Sequence, residues 1–187
     1  MSSHPRSGCD AVLADGRAVR IRPVMPGDGP ALRALHEGAS GQSVYQRFFA
    51  RSRAAADQYV DRVCAGAGDG HWVVVAELAG RLAGAADCYR VPGSEEAEIA
   101  VLVGDDRRHD GIGTLLLAHL VTRARRAGTR RFVAEVLSSS AHGQDIPPRP
   151  GFRADARPPG GVTTMVLEPA PDRTGRPAAP LITRCLP

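Results

Sequence analysis

The stretch from residue 97 to residue 136 constrains the fold of this chain more than any other. An apolar run at 97–103 is followed by a glycine-bearing turn at 107–113, an amphipathic helix and a second apolar run at 131–136. Short apolar runs bounded by turn residues predict strands, and apolar residues three or four positions apart predict a helix. The stretch therefore predicts a helix packed on a sheet, with a glycine-bearing turn where the first strand gives way to the helix.

The rest of the chain adds strands to the same sheet. Two further apolar runs precede residue 97 at a spacing typical of an antiparallel meander, a strand is predicted near 19–22, and a closing hairpin involves Gly151, Phe152 and residues 162–167. Helical segments are predicted at 31–36, 43–50 and 54–64. The predicted fold class is α/β (α+β), in one domain at 15–168 with an N-terminal tail at 1–14 and a proline-rich C-terminal tail at 169–187.

Composition excludes several kinds of chemistry. All 24 basic residues are arginine, so the chain has no lysine for a phosphate-loop NTPase, a Schiff base or a general base. A net charge of +4 with scattered arginines and 4% aromatic residues gives no indication of nucleic-acid binding. No apolar run reaches the roughly 18 residues of a membrane span. The four cysteines have no metal-site spacing, so we expect reduced thiols, no metal and a cytoplasmic protein.

The glycine-bearing turn predicts an anion site. Glycines at the start of a helix let backbone N–H groups approach a phosphate, and the helix N-terminus adds partial positive charge. The turn lacks the lysine of a Walker A loop, and Leu116 stands where a dinucleotide fingerprint has its third glycine. The simpler alternative is that the glycines only turn the chain.

The motif Arg108-x-x-Gly111-x-Gly113 resembles the Q/R-x-x-G-x-G/A pyrophosphate loop of the GNAT N-acetyltransferase superfamily. The segments 15–49, 97–103 and 131–137 also resemble one branch of that superfamily. This branch includes the bacterial protein-lysine acetyltransferases that act on acyl-CoA synthetases. The resemblance implies a mixed, mostly antiparallel sheet flanked by helices, with a V-shaped cleft between strands 97–103 and 131–136. It also implies acetyl-CoA as cosubstrate and an amine acceptor, and the branch resemblance favours a protein lysine among amines.

The resemblance further implies which residues bind acetyl-CoA. Pantetheine would pair with the strand backbone, and the pyrophosphate would lie on the amides of the turn. The implied binding residues are Ala100, Val101, Leu102, Val103, Arg108, His109, Asp110, Gly111, Ile112, Gly113, Thr114 and Ser140.

Glu98 is the candidate catalytic residue. An amine acceptor is protonated near neutral pH, and a carboxylate beside the thioester can remove its proton; a glutamate at this strand position has that role in the resembling branch. The alternative is a solvent-facing strand residue. The family also uses a strand amide to stabilise the oxyanion, here near Leu102. We expect Glu135 to form a structural salt bridge and the His109 side chain to face solvent.

The chain departs from the family pattern after residue 137. Ser140 stands where the family has asparagine, and Pro147, Pro148 and Pro150 fall where a helix normally follows. No tyrosine follows Tyr89, so the phenol that many relatives use as general acid is missing. Two hypotheses remain: an N-acetyltransferase, or a degenerate module that binds acyl-CoA without transferring the acyl group.

Overall fold

The computed structural model describes residues 8–38, 53–66, 68–137, 152–154 and 162–167. Eight strands lie within these residues: β1 Cys9–Val12, β2 Ala18–Pro23, β3 His71–Leu78, β4 Arg81–Arg90, β5 Glu96–Val103, β6 Arg131–Leu137, β7 Phe152–Ala154 and β8 Val162–Leu167. The α-helices among the same residues are α1 Gly29–Gly38, α2 Arg53–Cys64 and α3 Ile112–Arg126.

The strands form one mixed sheet in the order β1-β2-β3-β4-β5-β6-β8-β7. Every pair of neighbouring strands is antiparallel except β5 and β6, which are parallel. β5 and β6 are parallel because α3 connects them as a crossover. This helix returns the chain to the edge of the sheet at which β5 begins, so that β6 runs in the same direction as β5. The predicted fold class, a mostly antiparallel mixed sheet flanked by helices, is confirmed.

The two faces of the sheet carry different helices. Alternate side chains of a strand point to opposite faces, so Val74 packs in the cluster that contains α3, whereas Val73 and Val75 pack in the cluster that contains α1 and α2. On β5, Ala97 and Ile99 lie on the α3 face, and Leu102 lies on the face of α1 and α2. The sheet thus separates α3 from the other two helices.

The N-terminal region differs from the sequence prediction. Residues 9–12, placed in the 1–14 tail, form β1 and pair with β2. Cys9 and Ala11 are buried while Asp10 is exposed, but an alternation over only four residues is too short to identify a strand from sequence alone.

The state of the cysteines also differs from the prediction. Cys64 and Cys88 are free thiols, but Cys9 is disulfide-bonded, so the prediction of four reduced thiols is wrong at Cys9. The helix predicted at 43–50 and the tail at 169–187 lie outside the described residues.

A close approach between sheet and helix fixes the position of α3. A Cβ added at Gly84 of β4 would lie 3.0 Å from the Leu102 carbonyl oxygen and 3.0 Å from Cδ1 of Leu116. Gly84→Ala should therefore lower the free energy of unfolding by roughly 1–3 kcal/mol through overpacking, measured by chemical denaturation. Gly27→Ala is the matched control, because its Cβ would meet nothing within 4 Å. An equal loss in both variants would contradict close packing at Gly84.

Candidate functional site

A wedge-shaped gap opens between β5 and β6. Their parallel pairing covers only three positions, from Glu96 opposite Arg131 to Glu98 opposite Val133. Beyond that point β5 continues to Val103 and β6 continues to residue 137 without pairing to each other. The two strands diverge from Glu98 onwards, which forms the cleft predicted between 97–103 and 131–136.

Two backbone hydrogen bonds establish which way the amides of β5 point. The Val91 N–H donates to the Glu96 carbonyl at 2.9 Å, and the Gly104 N–H donates to the Ala83 carbonyl at 3.0 Å. In an antiparallel ladder, residues alternate between bonding to the partner strand and pointing away from it. Both bonds join residues that the β4–β5 register, continued by one position at each end, places opposite each other, and in both the residue on the β5 side is even-numbered. The backbone N–H and C=O groups of the odd-numbered residues of β5 therefore point towards β6.

The N–H and C=O groups of Val101 and Val103 therefore face the gap, where no described strand pairs with them. The Leu102 amide points instead towards β4, where the register places it opposite Ala85. The backbone groups open to a ligand in this part of β5 thus belong to the two valines. They lie on either side of Leu102, near which the sequence analysis places the amide that stabilises the oxyanion.

The turn after β5 ends at the uncapped N-terminus of α3. Gly111 is the N-cap, in the left-handed conformation at φ 85°, and no side chain caps the helix. The first helical backbone bond runs from the Leu115 N–H to the Gly111 carbonyl. The N–H groups of residues 112–114 therefore have no acceptor within the helix. These amides and the positive end of the helix dipole suit an anion.

Three carboxylates lie in the connection between β5 and α3, and each of them is paired with an arginine. The pairs are Asp105 with Arg108 at 2.7 Å, Asp106 with Arg107 at 3.1 Å, and Asp110 with Arg17 at 2.6 Å. Arg108, predicted to bind the cofactor, is thus engaged with a carboxylate of its own turn. The carboxylates that would repel a phosphate are each offset by a cation, so the backbone amides are left to bind the anion.

Glu98 lies where β5 and β6 separate, and its side chain is exposed. Two other glutamates lie nearby in the chain: Glu95 pairs with Arg130 at 3.2 Å and Glu96 pairs with Arg131. Glu98 has no hydrogen bond or ion pair with any described residue. Of these three carboxylates it is the one available to accept a proton.

A row of polar side chains crosses the sheet beside Glu98, and it was missed in the sequence. Tyr89 lies opposite Glu98, and His71 lies opposite Tyr89. The two rings meet edge to face with centroids 5.9 Å apart, and Nε2 of His71 is 3.3 Å from the Asp87 carboxylate. The row lies on the face of α1 and α2. The chain gives no local signal for it, because only the strand register brings the three residues together.

The other predicted residues fall in or near the same place. Ala100 lies on β5, on the face of Glu98, and His109 is exposed as expected, with a left-handed φ of 71°. Gly113 packs on the end of β5, where an added Cβ would lie 3.5 Å from the Val103 side chain. Ser140 lies outside the described residues, and so does the side chain of Glu135.

The described residues contain no group of three or more His, Cys, Asp or Glu side chains that could hold a metal ion. None of the described helices has the length and apolar character needed to cross a membrane.

Comparison with known proteins identifies similar sequences and folds. Residues 39–145 match the family model of the acetyltransferase (GNAT) family. The GNAT domain of S. lividans PAT is 27% identical, with a TM-score of 0.79 over 89% of this chain and 99% of that domain. Ribosomal-protein-alanine N-acetyltransferase from Brucella melitensis is 23% identical, with a TM-score of 0.63 over 79% of this chain and 98% of that one. PaiA N-acetyltransferase from Thermoplasma acidophilum, solved in complex with coenzyme A, is 15% identical, with a TM-score of 0.64 over 80% of this chain and 98% of that one. The last two show a shared fold alone.

Proposed function

The chain belongs to the acetyltransferase (GNAT) family, and we propose from this that Glu98 is the general base in acyl transfer from acetyl-CoA to a lysine side chain of a protein. That the chain is an acetyl-CoA-dependent acyltransferase acting on an amine follows from its family and fold. The observation that carries the finer proposal is the Glu98 carboxylate, which lies where β5 and β6 separate and has no ion pair or hydrogen bond with any described residue.

The donor would lie in the gap and on the turn. Its pyrophosphate would accept hydrogen bonds from the N–H groups of residues 112–114. The pantetheine arm would run along β5, where the backbone groups of Val101 and Val103 face the gap. One of these N–H groups would also bind the oxyanion that forms on the thioester carbonyl.

The acceptor would approach from the face of the sheet opposite to α3. Glu98 lies on the face of α1 and α2, whereas α3 packs on the opposite face. Glu98 would take a proton from the ammonium group directly or through one water. The amine nitrogen would then attack the thioester carbonyl carbon, the C–S bond would break, and the nitrogen would release its second proton to solvent while the CoA thiolate takes up a proton from solvent.

An acceptor carried on a protein fits the exposure of this face. Glu98 is exposed, and Tyr89 beside it is 48% exposed. An open approach of this kind admits a side chain presented on a protein surface. The resemblance of segments 15–49, 97–103 and 131–137 to protein-lysine acetyltransferases that act on acyl-CoA synthetases supports the same acceptor class.

The test is a transfer assay with a panel of acceptors. The purified chain is incubated with acetyl-CoA and either an acyl-CoA synthetase or free amines, and CoA release and acetyl-lysine are measured. Because the chain contains no lysine, every acetyl-lysine detected by mass spectrometry belongs to the acceptor. We expect transfer to the synthetase above transfer to free amines. Preference for a free amine would overturn the acceptor class, and CoA binding without transfer to any acceptor would favour a binding module.

A further inference from the structure

The ion pair between Arg17 and Asp110 connects two distant parts of the chain. Arg17 lies in the turn between β1 and β2, 93 residues before its partner, and its Nη2 is 2.6 Å from the Asp110 carboxylate. Arg17 also donates to Asp15 through Nε at 2.6 Å. These hydrogen bonds to Asp15 and Asp110 raise the pKa of Arg17 above its usual value. The first hairpin therefore presents a permanent cation to the turn that precedes α3.

Asp110 depends on Arg17 for its neutralisation, because no described arginine of its own turn is paired with it. Asp105 and Asp106 are paired with arginines of the same turn, whereas the partner of Asp110 comes from another element. Asp110 is also the carboxylate nearest to α3, one residue before the N-cap Gly111. Without a partner, its negative charge would face the anion that the helix amides bind.

The same contact holds the backbone of the turn. Asp110 lies between His109 at φ 71° and Gly111 at φ 85°, both in the left-handed region. A residue other than glycine persists in that region only when its surroundings hold it there. The hydrogen bond from Arg17 holds the side chain of Asp110, which lies between these two left-handed residues.

We propose that Arg17 is a positioning residue for the acyl-donor site, and that it acts by neutralising Asp110 and holding its carboxylate away from the bound pyrophosphate. This inference rests on the proposed function, because it requires the pyrophosphate of acetyl-CoA to lie at the N-terminus of α3. It makes the first hairpin part of the donor site, although that hairpin lies outside the matched residues 39–145.

The test is a double-mutant cycle on CoA affinity, measured by calorimetry on the full chain. Arg17→Ala should weaken CoA binding about tenfold, because it leaves a bare carboxylate beside the phosphates. Asp110→Asn should bind a few-fold more tightly than wild type, because it removes the negative charge next to the anion while Arg17 keeps its hydrogen bond to Asp15. Arg17→Ala combined with Asp110→Asn should recover most of the affinity lost in Arg17→Ala.

Arg20→Ala is the matched control. Arg20 is an exposed residue of the same hairpin, and its removal changes the net charge by the same amount without touching the turn. We expect this variant to bind CoA within twofold of wild type. Unfolding temperatures of all variants verify that each one is folded.

A second measurement uses a donor without phosphates. The value of kcat/KM for acetyl-pantetheine should stay within twofold of wild type in Arg17→Ala, because that donor has no pyrophosphate for Asp110 to repel. An equal loss with both donors would indicate general damage to the fold and would overturn the inference.

The remaining outcomes separate the inference from the function on which it rests. Wild-type chain that fails to bind CoA would overturn both. If wild type binds CoA, then unchanged affinity in Arg17→Ala overturns the inference alone. A double variant as weak as Arg17→Ala also overturns it, since Arg17 would then contact the phosphate itself.

Discussion

Glu98→Gln should lower kcat by about 10²- to 10⁴-fold, the usual contribution of a positioned general base. Glutamine keeps the shape of the side chain but cannot accept the proton of the ammonium acceptor. Glu98 has no ion pair with a described residue, so its replacement breaks no contact that holds the described fold. Steady-state kinetics with acetyl-CoA and calorimetry with CoA measure rate and affinity separately, and we expect the affinity to remain within twofold.

Glu95→Gln is the control for Glu98→Gln. Glu95 lies three residues earlier, and its ion pair with Arg130 joins two largely exposed side chains, so losing it costs little. We expect near wild-type kcat in this variant. Full activity in Glu98→Gln would remove Glu98 from the mechanism, and an equal loss in both variants would point to a general effect of charge.

Gly111→Val should weaken CoA binding about 30-fold. Gly111 has a φ of 85°, and an L-residue in that region pays about 2 kcal/mol, the equivalent of that factor in affinity. In the free Gly111→Val variant we expect the turn to relax into another conformation, in which the amides at the start of α3 no longer converge on the anion. Binding must then restore the strained turn, and its cost appears as lost affinity. Calorimetry with CoA measures the loss.

Gly80→Val is the matched control for Gly111→Val. Gly80 lies in the tight turn between β3 and β4 at φ 74°, and both glycines have nothing within 4 Å of an added Cβ. The two substitutions therefore carry similar strain, but one lies away from the turn before α3. We expect both variants to remain folded and only Gly111→Val to lose CoA affinity. Equal affinity in the two variants would contradict an anion site at the turn.

The turn before α3 could be predicted from the sequence because its signal is local. Gly111 and Gly113 lie between an apolar run and an amphipathic helix, and the geometry of a strand-to-helix turn depends on those few residues. Glu98 could be singled out because the family resemblance assigns a role to its strand position. That no described residue pairs with Glu98 could not be predicted, since it depends on Arg130 and Arg131 lying beside Glu95 and Glu96 instead.

Contacts between distant segments could not be predicted from local patterns. The pairing of Arg17 with Asp110 spans 93 residues, and nothing in either segment indicates the other. The polar row beside Glu98 has the same cause, because strand register alone places His71 opposite Tyr89 and Tyr89 opposite Glu98. The direction of the Leu102 amide depends on register as well, since a shift of one residue would exchange it with its neighbours.

A crystal structure of the chain with bound acetyl-CoA tests the central claim most directly. The predicted result places pyrophosphate oxygens within hydrogen-bond distance, about 3 Å, of the N–H groups of residues 112–114. The thioester would lie in the gap between β5 and β6, with the acceptor position beside it reached by the Glu98 carboxylate directly or through one water. Phosphates bound away from the start of α3, or a thioester beyond the reach of Glu98 and one water, would contradict it.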